Sequence, residues 1–373
     1  MIFYFTLLML YVVIGLAVQL AFDDQLRNKI QTILFIVIFG SVSATRAMTV
    51  GTDTQLYRNL FENQAPLTWQ NLIGSKYPLY NLYSGCLYLL SHNAQVIIAV
   101  TALLTIVGVA IAINYYARNI FLANILYITM YFYFTSMNIG RQFLATSVLL
   151  IATIFLRQGR QWWFWGLGIC AVLIHITALI GVLFWPMSQL KWTKLKLGLS
   201  GLASIVIAGL YSHLTRGFTH VFSAYSMYQD NPAVTGTETL MSQSHGGTVF
   251  VMLFYAGFII IGRMVQEPFA EDNREKQFNF MTLIMVVAIV FGTAFSHNIL
   301  MTRVLTYFTI YATFYIPEVI DRCCLNYRGT LYEKMVVRMM VIGGTVLVTL
   351  IPLGVQLSKN LSMVIPYTSV LFE

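Results

Sequence analysis

Long stretches of this chain hold no Asp, Glu, Lys or Arg: 77–117, 119–140, 142–156, 161–190, 277–302 and 339–358. That segregation of charge is the strongest constraint on the fold. Backbone N–H and C=O groups in hydrocarbon must find partners inside the protein, and a helix supplies them within one segment. A membrane β-barrel would instead alternate over segments of about ten residues, a pattern these runs lack. Of 373 residues, 10% are charged and 58% hydrophobic, whereas a soluble domain is roughly 25% charged. The expected fold class is therefore all-α: a polytopic integral membrane protein with the lipid bilayer as its solvent.

A span takes about 20 apolar residues. The pattern predicts spans at 2–21, 29–45, 94–115, 119–137, 141–156, 197–214, 247–264, 278–296, 303–319 and 335–357. Residues 79–91 are short and Pro-led, and 161–186 break around His175. The basic segments RQGR (157–160) and KWTKLK (191–196) flank that second stretch, and the positive-inside rule puts both on the cytoplasmic side. Residues 161–186 then read as a re-entrant hairpin with His175 near its turn, a form tolerated where protein or water covers it. With 79–91 as a second non-spanning element, the expectation is ten spans in one domain, 1–373, with outer loops at 46–77 and 215–246.

The net charge of +8 is spread over short loops, which fits membrane topology and not a nucleic-acid partner. The N-terminal run reads as a retained helix, not a signal peptide. Cys86, Cys170, Cys323 and Cys324 lack metal-ligand spacing and read as free thiols.

This topology gathers the unusual polar residues on the outer face. TRAMTVGTDTQLYRNLFE (45–62) sets Arg46, Asp53 and Arg58 directly after an apolar run. Residues 54–63 have the spacing of a short amphipathic helix at the membrane interface. Asp53 is placed either to cap that helix or to orient or deprotonate a hydroxyl. Arg46 is either a snorkelling anchor or an anion ligand. Arg141 in SMNIGRQFLA and Arg303 in SHNILMTRVLTY each open a helix after a polar break, His297 and Asn298 preceding the second. Helix N-termini favour anions, and arginine binds phosphate through two parallel hydrogen bonds while staying charged. Arg46, Arg141 and Arg303 are thus a candidate pyrophosphate clamp, or else separate surface anchors.

His175 stands in an apolar surround, as a core residue or as a tuned acid–base group. Tyr77 and Tyr80, with Tyr225 and Tyr228 in the long outer loop, are either stacking platforms for sugar rings or part of an interfacial aromatic belt. There is no Walker A, GxSxG or HExxH motif, and no DxD-type carboxylate pair to hold a nucleotide-sugar metal ion. No buried carboxylate or lysine chain marks a proton-coupled pathway. Neither a metal nor another cofactor is expected. Bond synthesis outside the cell needs a donor that is already activated, such as a lipid pyrophosphate-linked glycan.

R-x4-GTD-x3-Y (Arg46, Gly51, Thr52, Asp53, Tyr57) resembles the opening signature of the EpsG family of Wzy-type polysaccharide polymerases. The likeness continues in order through Tyr77-Pro78-x-Tyr80, N-x-x-RQ-x-LA (Asn138, Arg141, Gln142, Leu144, Ala145) and H-x-T-AL (His175, Thr177, Ala178, Leu179). A late R-x3-YF (Arg303, Tyr307, Phe308) and the tail IPYTSVLF (365–372) complete it. The resemblance implies a bacterial multi-pass enzyme of the cytoplasmic membrane. It would join undecaprenyl pyrophosphate-linked repeat units, donor and acceptor alike, into capsule or exopolysaccharide on the outer face.

Implied partners are the flippase and chain-length regulator of the same pathway. In that reading Asp53 and His175 are catalytic and the three arginines meet the pyrophosphate. The glycan contacts are Tyr57, Tyr77, Tyr80 and Gln142, with Tyr225, Tyr228 and Asn298. The competing readings are a lipid-linked oligosaccharide transporter, a glycan ligase and a membrane acyltransferase. A transporter would be expected to show repeat symmetry between its halves, and the chain has no obvious internal repeat.

Overall fold

A computed structural model describes residues 1–190, 199, 245–265, 272–294, 299–360 and 362–372. The expected span at 197–214, apart from Leu199, lies outside the described residues, as does loop 215–244 with Tyr225 and Tyr228. Among the described residues the chain is helical, and one isolated bridge, Arg46 with Ser369, is its sole β-type pairing. The all-α expectation holds.

The elements are α1 (Ile2–Ala21), α2 (Asp24–Ala44), α3 (Thr54–Glu62), α4 (Trp69–Ile73), α5 (Pro78–Leu90) and α6 (Gln95–Tyr116). Then come α7 (Ile120–Thr129), α8 (Phe132–Asn138), α9 (Gly140–Arg157) and α10 (Gln161–Ile174). A 3-10 segment (Ile176–Leu183) leads to α11 (Phe184–Gln189), and the later helices are α12 (His245–Met264), α13 (Asp272–Ala294), α14 (Ile299–Thr309), α15 (Ala312–Asn326) and α16 (Leu331–Lys359).

Among the described residues, five helices are long and apolar enough to cross a membrane: 2–21, 95–116, 140–157, 273–293 and 331–359. The pair α7 and α8, bent by 56°, makes a sixth if it counts as one span. Ten spans are not shown, and the shortfall has local causes. The charged first turns of α2, with Asp24, Arg27 and Lys29, dilute that run. The expected span at 303–319 is divided between α14 and α15. The 13-residue α5, expected as a non-spanning element and not one of the ten, reaches about 20 Å at 1.5 Å per residue, short of a roughly 30 Å core.

The break expected at His175 is present. Trp165 in α10 and Trp185 in α11 lie with ring centroids 6.4 Å apart, although 20 residues of straight helix would part them by about 30 Å. The chain therefore doubles back at His175.

The chain divides into two compact units, Met1–Trp185 with Met339–Glu373, and Pro186–Arg338. In the first, buried amides tie apolar helices together. Gln31 of α2 donates to the Gly15 carbonyl of α1 at 2.8 Å, and Asn124 of α7 donates to the Tyr11 hydroxyl at 2.7 Å. Such bonds register helices where lipid provides no hydrophobic drive between them.

The C-terminal tail returns to the 45–51 loop of the same unit. Ala47 N–H donates to the Thr368 carbonyl, Val370 N–H to Thr45, and Gly51 N–H to Met363. Its Tyr367 ring stacks on Phe3 at 4.4 Å.

In the second unit, Arg322 is 1% exposed and bonds Glu318 at 3.0 Å and Glu275 at 2.8 Å, its guanidinium 3.7 Å over the Phe278 ring. Burial alone would lower its pKa, but hydrogen bonds and charge from Glu275 and Glu318 outweigh burial and raise it. Glu318 and Asp321 are buried. Both sit on α15 beside arginine partners, Asp321 pairing with Arg338 at 2.8 Å. All four cysteines are free thiols.

Candidate functional site

Gly51 lets the opening loop turn. Its φ is +98°, and a Cβ there would stand 2.9 Å from the Met137 carbonyl oxygen. The loop thus runs close beneath the end of α8, and Asn138 fastens it. The Asn138 Oδ1 accepts from the Thr52 hydroxyl and, at 3.1 Å, from the Asp53 N–H. Because a backbone N–H can only donate, the atom facing it is the amide oxygen.

Asp53 occupies the N-cap position of α3 but makes no capping hydrogen bond with its side chain. The capping expectation is overturned. A cap residue adopts extended backbone so that its side chain reaches the first turn, whereas Asp53 has φ −91° and ψ −5°. The Thr52 hydroxyl is 3.3 Å from its carboxylate. In α3, Tyr57 and Phe61 face inward while Leu56 and Leu60 are exposed, as an interfacial helix requires. The Tyr57 hydroxyl accepts from the Arg141 N–H at 3.4 Å.

Arg141 stands in the first turn of α9, its guanidinium 3.9 Å over the Tyr77 ring and 5.3 Å from that of Tyr80. Among the described residues its guanidinium meets no carboxylate and makes no hydrogen bond. Tyr77 also stacks on His175 at 5.7 Å and 20° between planes. The His175 Nδ1 is 2.7 Å from the Thr177 hydroxyl, which explains the two-residue spacing of that pair. Burial, then Tyr57, raises the Tyr80 pKa, and Arg141 lowers it less, so Tyr80 remains a neutral donor.

Arg46 is differently placed. It is 3% exposed, with Nη1 donating to the carbonyl and hydroxyl of Ser43 and Nη2 to the Met137 carbonyl at 3.2 Å. Burial lowers its pKa to about 10, with Tyr133, Tyr4, Tyr57 and Tyr367 opposing the shift. It therefore stays charged at neutral pH, and among the described residues no carboxylate pairs with it.

Tyr57, Arg141, Tyr77, Tyr80 and His175 are thus brought into one connected group, and Asp53 and Arg46 join it through the 137–138 backbone and amide. Gln142 is buried in the same turn of α9 as Arg141. Arg303 lies on α14 in the second unit, and Asn298, Tyr225 and Tyr228 lie outside the described residues. Asn138 and the returning tail were missed as parts of the site; the signal for both was their place in the ordered motifs.

Chemically, the group offers a stacked guanidinium with no carboxylate partner among the described residues, a phenol, a carboxylate that does not cap its own helix, and an imidazole. The sequence as a whole matches the EpsG family over residues 29–369. The chain belongs to the EpsG family. Its members are Wzy-type polymerases, so this is a multi-pass membrane protein of polysaccharide synthesis. The matched region includes the Arg46 loop, the Asn138–Arg141 break, His175 and the tail through Ser369. A search of curated proteins and a search of solved structures found no match.

Proposed function

We propose that this family member joins undecaprenyl pyrophosphate-linked repeat units at the outer face of a bacterial cytoplasmic membrane, without a metal ion. The acceptor is the non-reducing-end hydroxyl of a new lipid-linked repeat. Its oxygen bonds to the anomeric carbon of the growing donor glycan as the bond from that carbon to pyrophosphate oxygen breaks. The hydroxyl proton passes to Asp53 or His175, and undecaprenyl pyrophosphate leaves with the bonding electrons. The whole chain acts as one polymerase domain, since the family match runs through both units.

The observation that carries this reading is Arg141: a cation at a helix N-terminus, stacked on Tyr77, with no carboxylate among the described residues to neutralise it. Fixed cations lower a barrier most where negative charge develops, here on the departing pyrophosphate. Arg46 adds a second buried charge nearby in the chain's fold. Arg303 rests on its motif alone, and R303A asks whether the second unit contributes to the reaction. The glycan contacts proposed are Tyr57, Tyr77, Tyr80 and Gln142, with Tyr225, Tyr228 and Asn298.

Deleting the gene and analysing lipid-linked glycans tests the assignment. A polymerase leaves single repeat units on the lipid at the outer face. Single units confined to the inner face would indicate a transporter instead. Polymer still assembled on the lipid but not passed onward would indicate a ligase.

A further inference from the structure

We infer that the tail, residues 362–372, is a positioning segment of the site: docked on the 45–51 loop, it fixes where Arg46 stands and stays docked through turnover. This rests on the polymerase reading above and deepens it by naming what places the buried cation.

The tail folds back for a local reason. Asn360, directly after α16, has φ +47°, a left-handed backbone that asparagine tolerates. Its side chain accepts from the Ile365 N–H at 3.0 Å and donates to the Ile365 carbonyl. The turn so closed delivers the following residues to the 45–51 loop.

There the contacts fall on both sides of Arg46. Ala47 N–H donates to the Thr368 carbonyl at 2.9 Å, and the Thr45 carbonyl accepts from the Val370 N–H and the Ser369 hydroxyl, each at 3.0 Å. Arg46 itself pairs with Ser369 in an antiparallel bridge. Further along, Gly51 N–H donates to Met363, the Tyr367 hydroxyl to the Val42 carbonyl and the Tyr4 hydroxyl to the Val364 carbonyl.

Residues 45–51 belong to no helix, so their backbone groups need partners from elsewhere, and the tail supplies them. With residues 45 and 47 fixed, the Arg46 side chain starts from one place and reaches the Ser43 and Met137 carbonyls. Met137 lies four residues before Arg141, so the tail and the α8–α9 break meet at one guanidinium. Val364 and Ser369 are buried. A segment held by this many backbone bonds is built to stay, not to open as a gate.

The Thr49 and Thr368 hydroxyls lie 2.9 Å apart, which suits a cysteine pair, T49C/T368C, to a disulfide. The test uses full-length protein in proteoliposomes and the lipid-linked repeat unit that accumulates in a strain lacking this protein. The crosslink, read by peptide mapping, should form readily and leave kcat and KM at wild-type values. V370P removes the N–H that meets the Thr45 carbonyl, and S369A removes the hydroxyl that meets it. Counted per monodisperse molecule, kcat should fall with KM unchanged. The fall for V370P should be on the order of tenfold to a hundredfold, the scale of a roughly 1 Å misplacement, and smaller for S369A. Closing the T49C/T368C disulfide in either variant should restore kcat, and dithiothreitol should remove the restoration.

Failure of the crosslink to form would overturn the docking. A crosslinked protein with little turnover would show that the tail must leave, and would overturn the fixed position. Wild-type kcat in both V370P and S369A, or a loss that the disulfide does not restore, would overturn the positioning role. If V370P does not accumulate, S369A carries the same comparison. If the wild-type protein makes no polymer from the repeat unit, the polymerase reading fails and the positioning role with it, while the crosslink still decides whether the tail docks.

Discussion

Two arginines in this protein lie over aromatic rings at nearly the same distance, and they differ in everything else. Arg322 stands 3.7 Å over Phe278 and is neutralised by Glu318 and Glu275. Arg141 stands 3.9 Å over Tyr77, and among the described residues it meets no carboxylate. A ring contact supplies only about 0.5–2 kcal/mol to a cation, far less than desolvating one costs. Arg322 is thus neutralised by its own chain, whereas Arg141 meets no carboxylate among the described residues. The difference separates a structural guanidinium from a binding one more clearly than burial or location does.

The largest test of that contrast is removal of the paired cation. R322A strands Glu318 in a buried site, and breaking such a pair costs about 3–5 kcal/mol. The protein should melt much earlier in detergent or fail to accumulate; wild-type melting would erase the distinction. Next in size is R141A in cells, where polymer should fall roughly a hundred- to thousandfold, the range for losing one preorganised donor to developing charge. Melting of that variant should not fall, because no partner is orphaned.

The prediction for Gly51 is smaller. G51A forces a side chain into a positive-φ turn against the Met137 carbonyl, and backbone strain of that kind costs about 1–3 kcal/mol. A melting temperature matching the wild type would mean the loop does not hold this turn. Smallest is the Tyr77 pair: Y77A should weaken whatever Arg141 binds by about 0.5–2 kcal/mol, while Y77F, which keeps the ring, should change little. Equal behaviour of Y77A and Y77F would show that the ring contact is incidental.

Much of this was legible in the sequence because lipid leaves few choices. Uncharged runs must be helices, and a histidine among small and β-branched residues at 170–181 marked where one run turns back. Motif order in the sequence pointed to Arg141, Tyr77 and His175. The Arg322 cluster was not legible, since its members come from α13 and α15 and look like ordinary loop-end charges in one dimension.

The choice between the two readings of Asp53 stayed open for a related reason. Its competitor for the local backbone, Asn138, lies 85 residues away. The tail was recognisable as a motif, but its pairing with residues 45–51 depends on contacts across nearly the whole chain. Ten spans are not shown among the described residues, in part because hydropathy cannot see that 303–319 divides into two helices or that charges thin out the start of α2.

The central claim is that the Arg141 guanidinium is held open for pyrophosphate, and thermal stabilisation by inorganic pyrophosphate measures this most directly. A ligand at a hundred times its Kd stabilises the folded state by about 2.7 kcal/mol. The account predicts a pyrophosphate-dependent rise in Tm for the wild-type protein and little or none for R141A. An equal rise in both would contradict it.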